Sequence, residues 1–117
     1  MHELSVTENI LAIAIAHAEQ NGADQVSAIY LVIGEFSNLL PKCIQYYWNI
    51  LVQGTICEKS VLHFDHRPAI FHCENCNHEY EIHQEMTGCP NCHSSNVSLV
   101  SGNEFWVDSI EIIKNQE

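Results

Sequence analysis

Positive charge is what this sequence has least of. Lys42, Lys59, Lys114 and Arg67 stand against fifteen acidic residues, for a formal net charge of −11. Affinity for nucleic acid rests on lysine and arginine neutralising phosphates. Four scattered bases cannot assemble such a patch, so no nucleic acid is expected as a partner. The same scarcity argues against anionic membranes and favours cations or basic protein surfaces. Long apolar runs are missing too. The stretch 10–16 (ILAIAIA) is too short to span a bilayer, and Glu3 and Glu8, not lysine or arginine, precede it. No membrane partner and a cytoplasmic address are therefore expected. In that compartment thiols stay reduced, so cysteine pairs are read as metal ligands before disulfides.

What is abundant is metal-ligating side chains. Eight histidines and six cysteines make up about an eighth of the 117 residues. That length suits one domain, or one domain with a small appendage.

The hydrophobic pattern divides the chain. Ser5-Val6-Thr7-Glu8 fits a capping box, and Val6, Ile10, Ile13 and His17 then share a helical face until Asn21-Gly22. This predicts a helix over about 5–21, with residues 1–4 as a short free tail. The segment 25–34 (QVSAIYLVIG) is rich in β-branched residues and reads as a mostly buried strand. Ser37-Asn38 can cap a second helix, with Pro41 in its first turn, where a missing N–H is tolerated. Ile44, Tyr47, Trp48 and Leu51 keep helical spacing toward Gly54, and 61–65 (VLHFD) is a second strand. From about 70 to 101 large aliphatics thin out and Cys, His, Asn, Gly and Glu take over. A segment that small cannot hold itself by burial alone. Strand-like composition returns at 104–113 (EFWVDSIEII). The expected architecture is α+β: one discontinuous domain over 1–68 and 103–117, with 69–102 inserted between two of its strands.

The insert carries Cys73-Glu74-Asn75-Cys76 and, after twelve intervening residues, Cys89-Pro90-Asn91-Cys92. Each CxxC forms a tight knuckle presenting two thiolates to one ion, and two knuckles close a tetrahedral four-sulfur site, the pattern of structural zinc. Iron suits the same donors. A haem attachment at 89–93 (CPNCH) would orphan Cys73 and Cys76, and a redox pair does not need two such motifs. His78 and His93 follow the second cysteine of each knuckle closely. They are either solvated or able to exchange for a thiolate and modulate the zinc site with pH. His63 and His66 sit at odd spacing on one strand, and Cys43 and Cys57 read as small buried or helix-end residues.

The first three residues form a second candidate. Residue 2 is too large for removal of the initiator methionine, so Met1 keeps its amine, which titrates at about 7.7–8.0 when unperturbed. The Met1 amine with the amide nitrogen and imidazole of His2 forms fused chelate rings, and the Glu3 amide or carboxylate supplies a fourth donor. Such nitrogen-rich sets favour square-planar Ni(II) or Cu(II). Taken alone, the motif is weak, and the same residues are more often a frayed terminus.

Met1-His2-Glu3 at the start, the strand ending Ile33-Gly34-Glu35, and the late CxxC…CxxC followed by His93 together resemble the HypA/HybF hydrogenase-maturation nickel proteins over essentially the whole chain. The resemblance implies a small metallochaperone without catalytic turnover. Nickel would bind at Met1, His2 and Glu3, and structural zinc at Cys73, Cys76, Cys89 and Cys92. It further implies a three-stranded mixed sheet with two helices plus a zinc ribbon. The expected partners are the GTPase HypB and the large subunit of [NiFe]-hydrogenase, with urease served in some relatives. Hinges near 67–70 and 101–103 would let two copies form a domain-swapped homodimer. The alternative is a zinc-ribbon interaction module with no nickel transfer. It fits poorly, because 74–85 carries four glutamates and no lysine or arginine.

Overall fold

The computed structural model describes residues 2–82 and 88–115. Its elements run α1 (Glu3–Gln20), β1 (Gln25–Gly34), α2 (Pro41–Leu51), β2 (Val61–Arg67), β3 (Ala69–Cys73), β4 (Glu79–Ile82), β5 (Val97–Ser101) and β6 (Phe105–Ile113). The strands form two three-stranded sheets, in the orders β2-β1-β6 and β4-β3-β5. The class is α+β, as the sequence led us to expect.

In the first sheet, the Asp24 amide bonds to the Ile113 carbonyl and the Gly34 amide to that of Glu104, so β1 and β6 run antiparallel. On the other side Tyr30 stacks on His63, and the Glu35 amide bonds to the Arg67 carbonyl. These pairings advance in the same sense, which makes β2 parallel to β1 and the sheet mixed.

The chain divides into two compact units: Met1–Leu31, Leu39–Asp65 and Trp106–Glu117 in one, Val32–Asn38 and His66–Phe105 in the other. The first is a conventional hydrophobic body. Ile29 and Leu31 of β1, Ile44 and Trp48 of α2, and Ile10, Ala14 and Ala18 of α1 are all essentially inaccessible to solvent. Alanines on the buried stripe let α1 pack closely, and the buried Trp48 indole satisfies its N–H on Ser60 Oγ at 3.0 Å.

The second unit has a far smaller core. Ala69, Phe71 and Ile82 are buried, with Phe36, Tyr80 and Val97 packed around them. Strand β3 is its spine, antiparallel to both neighbours, pairing His72 with Glu79 on β4 and Cys73 with Val97 on β5. These three short strands were not anticipated from the sequence, because no periodic apolar pattern announces them.

Two helix starts differ from expectation. Helix α1 begins at Glu3 with His2 as its N-cap, not at Ser5. Ser5 Oγ donates back to the His2 carbonyl instead of capping. The buried stripe Glu3, Thr7, Ile10, Ala14, Ala18 has helical spacing from its first member, so burial of Glu3 extends the helix past the local capping signal. There is accordingly no free tail over residues 2–4. Helix α2 starts at Pro41 with Leu40 as N-cap, while Asn38 adopts a left-handed conformation (φ 63°) and caps nothing.

Candidate metal sites

The four predicted zinc ligands converge. The Sγ atoms of Cys73, Cys76, Cys89 and Cys92 all lie within 4.8 Å of one another. Cys73 and Cys92 are 3.5 Å apart and Cys76 and Cys89 3.6 Å. A tetrahedron with metal–sulfur bonds of about 2.3 Å has sulfur–sulfur edges of about 3.8 Å, so the site fits one four-coordinate thiophilic ion. The donor set suits zinc and leaves no open position for substrate.

The two knuckles are built alike. The Asn77 and His93 amides bond to the Cys73 and Cys89 carbonyls at 2.9 and 2.8 Å, and the Cys73 and Cys89 amides to the His78 and Ser94 carbonyls, both at 2.9 Å. Asn77 and His93 both take the left-handed conformation, with φ of 60° and 63°. The residue after each second cysteine thus turns the chain so that both sulfurs face inward. This backbone duty falls on His93, and the His78 carbonyl serves the other knuckle. Among the described residues, the group of ligand atoms within 4.8 Å consists of the four cysteines; neither the His78 nor the His93 ring belongs to it. The His78 ring instead stacks on Tyr80, with centroids 6.0 Å apart.

Before an ion enters, the thiols are electrostatically unequal. Donation from the Asn91 carboxamide, aided by the His78 amide and the Cys89 and Cys73 thiols, holds Cys76 down to about 6 against the effect of burial. Cys92 is pushed up to about 12. The Ser94 amide pulls it the other way, but proton sharing with Cys73, burial, and the Cys76 and Cys89 sulfurs outweigh it.

At the amino end, the Met1 amine lies outside the described residues. His2 is exposed at the N-cap of α1, free of any side-chain cap bond. Glu3, by contrast, is only 6% exposed, and its carboxylate accepts the Leu40 amide at 3.1 Å, tying the start of α1 to the start of α2. Glu3→Ala should therefore destabilise the protein by about 1 kcal/mol, the cost of losing a part-buried hydrogen bond to a charged acceptor. Glu3→Gln, which keeps an acceptor oxygen, should recover most of the loss. Urea denaturation midpoints compare the two, and an alanine variant as stable as the parent would remove this role.

Two metal-competent regions on one short chain, a four-sulfur clasp and an exposed amino-terminal histidine, frame the comparison with known proteins. A family model described as hydrogenase/urease nickel incorporation metallochaperone, HypA, matches residues 1–112. The chain belongs to the HypA family. Hydrogenase maturation factor HypA of Dehalococcoides mccartyi is 41% identical over 112 residues, covering 96% of this chain and 94% of that one. Hydrogenase maturation factor HybF of Salmonella typhimurium is 34% identical over 112 residues, covering 96% and 99%. The solution structure of the nickel metallochaperone HypA from Helicobacter pylori superposes with a TM-score of 0.65 at 26% identity, covering 98% of this chain and 100% of its own. HypA proteins are nickel-incorporation metallochaperones of hydrogenase maturation and not enzymes, in keeping with a closed sulfur clasp.

The remaining candidates in this HypA-family chain have structural surroundings. Cys57 is fully buried and its thiol is raised to about 11 by that burial, while Cys43 is half-buried near the start of α2. His63 and His66 are both exposed on β2. Among the described residues no helix is long and apolar enough to cross a membrane. Reasoning from sequence passed over Asn75 and Asn91, although both knuckles carry asparagine directly before the second cysteine.

Proposed function

We propose that this chain binds Ni(II) through the Met1 amine, the His2 amide nitrogen and imidazole, and a Glu3 donor, and hands it on during [NiFe]-hydrogenase maturation. The observation that carries this reading is the exposed His2 at the N-cap of α1 in a chain that the HypA family model matches from residue 1. An N-cap amide has no acceptor within its helix; the first helical bond runs from Val6 to the His2 carbonyl at 3.0 Å. Replacing the His2 amide proton by a metal ion therefore breaks no helical hydrogen bond. The positive helix end opposes a bare cation but favours a deprotonated, anionic amide nitrogen, so the two effects offset. Because the Glu3 carboxylate is engaged by Leu40, the Glu3 amide nitrogen is the better fourth donor. Weak opposition and few donors suit a carrier that must release its cargo, so affinity should be micromolar.

Cys73, Cys76, Cys89 and Cys92 are assigned to a resident structural Zn(II), the ion whose geometry their sulfur spacing matches. Residues 1–68 and 103–117 serve as the nickel-binding part and 69–102 as the zinc ribbon. The partners that go with the family resemblance are the GTPase HypB and the hydrogenase large subunit, with urease as a second recipient, a homodimer as a second form, and the cytoplasm as the place of action.

Calorimetry of untagged protein tests the nickel site. The parent should bind one Ni(II), and His2→Ala should bind none while retaining its zinc. One extra residue ahead of Met1 should be nearly as damaging, since it removes the amine from the chelate. Equal nickel binding by parent and His2→Ala would end this reading.

A further inference from the structure

The two CxNC knuckles differ in where their asparagines reach. Asn91, in the second knuckle, donates from Nδ2 to Cys76 Sγ of the first at 3.5 Å, and its own amide lies 3.4 Å from Cys89 Sγ. Asn75, at the equivalent position of the first knuckle, reaches across to Ser94 Oγ beyond the second. That hydroxyl also accepts the Asn96 amide at 3.0 Å, and Asn96 Nδ2 meets Asn75 Oδ1 at 3.5 Å. Each knuckle is thus strapped to the other by the same sequence position, but only one strap ends on sulfur.

We propose that Asn91 is a positioning residue for the metal clasp, its carboxamide donating to the Cys76 thiolate, while Asn75 ties the knuckles together without touching sulfur. The inference rests on the reading that the four cysteines hold zinc. A metal-bound thiolate offers only lone pairs, so the Asn91 carboxamide must present its nitrogen, as it does here. The donated hydrogen bond withdraws charge from sulfur. In a shell of four thiolates around a divalent ion the net charge is −2, and each such donor lowers the mutual repulsion. Partners that orient metal ligands and are lost by mutation typically cost about 10–100-fold in metal affinity. Exposure of Asn91 to solvent places it at the lower end of that range.

The full chain with Co(II) in place of zinc provides the test, because the sulfur-to-cobalt charge-transfer band reports the energy of the thiolate lone pairs. The parent should take up one ion per chain with a tetrahedral thiolate spectrum. Asn91→Ala should still take up one ion, but with its band moved to lower energy and zinc affinity in chelator competition lowered about tenfold. Asn91→Asp, with the same shape and no donor, should shift the band in the same direction. Asn75→Ala should leave the band where it is. A band unmoved in Asn91→Ala at full metal occupancy overturns the inference, as does an equal shift in Asn75→Ala. A parent chain that takes up no ion would instead overturn the zinc reading, so the two failures are distinct.

Discussion

Removing the metal from the four-cysteine site should unfold strands β3, β4 and β5 while α1, β1 and α2 keep their structure. The cause is the imbalance between the two units. The first buries Ile10, Ile29, Leu31, Ile44 and Trp48 to about 1% exposure or less. At about 25 cal/mol per Å² of apolar surface, a set of that size contributes several kcal/mol beyond its entropic cost. Apart from the cysteines and the end of β1 at Val32 and Ile33, the described residues of the second unit bury Ala69, Phe71 and Ile82, too little to order three short strands and two knuckles. Ion binding in small structural zinc sites supplies on the order of 10 kcal/mol of folding free energy, larger than any other single contribution here.

The pH dependence follows from the thiols. Binding requires thiolates, and at neutral pH Cys92, raised to about 12, still holds a proton that the ion must displace. Cys76, lowered to about 6, takes up its proton only as pH falls through that value. Metal affinity should thus weaken as pH drops, more steeply below about 6. Hydrogen exchange on chelator-treated protein checks the main claim: amides of β3–β5 should lose protection, those of α1 and β1 should keep it, and added zinc should restore the first set. Unchanged protection across β3 after verified metal loss would refute it.

How far the sequence discloses this molecule depends on whether the determining contact is local. Strand β1 reads from its own composition, and its observed bounds, Gln25–Gly34, are those that composition predicts. The sulfur clasp reads from spacing alone, because a CxxC knuckle is a local structure and two of them need only one ion. The start of α1 does not read this way. Ser5 and Glu8 satisfy every local requirement of a cap, yet Glu3 is drawn into the helix by the Leu40 amide, thirty-seven residues away. Local rules cannot see that acceptor–donor pair, although the spacing Glu3, Thr7, Ile10, Ala14, Ala18 contained a hint of it. The ribbon strands fail for the complementary reason. Their order rests on cross-strand pairing such as His72 with Glu79 and, on the zinc reading, on an ion, so a long apolar alternation is not needed. Asn75 and Asn91 carried a readable signal, the repeat CxNC, whose meaning appears only when the two knuckles face each other.

Gly34→Ala should be among the most destabilising single substitutions in the chain, by about 4 kcal/mol or more. Within Ile33-Gly34-Glu35 the glycine is required by space and not by backbone angle, since its φ is not in the left-handed region. A Cβ on Gly34 would lie 2.1 Å from the Gly102 carbonyl oxygen, 2.3 Å from its carbon and 2.8 Å from the Asn103 nitrogen. All three are backbone atoms, so no side chain can swing away. The approach is held from both sides: the Gly34 amide donates to the Glu104 carbonyl at 2.8 Å and the Phe36 amide to the Gly102 carbonyl at 2.6 Å. Gly102 cannot retreat, because its own φ is 118° and its α-carbon already abuts Ala69, where a Cβ would come within 2.5 Å of Cα. Relief of the clash must therefore break those hydrogen bonds or lift Ala69 out of the small core it shares with Phe71. Gly54→Ala is the internal control. Gly54 has φ of 79° with nothing within 4 Å of its would-be Cβ, so its cost is the conformational penalty alone, about 1–2 kcal/mol. Urea titrations of the zinc-loaded proteins should place the Gly34 variant well below the Gly54 variant in midpoint. A Gly34 variant as stable as the Gly54 variant would mean that β1 and the 102–104 crossing separate without cost.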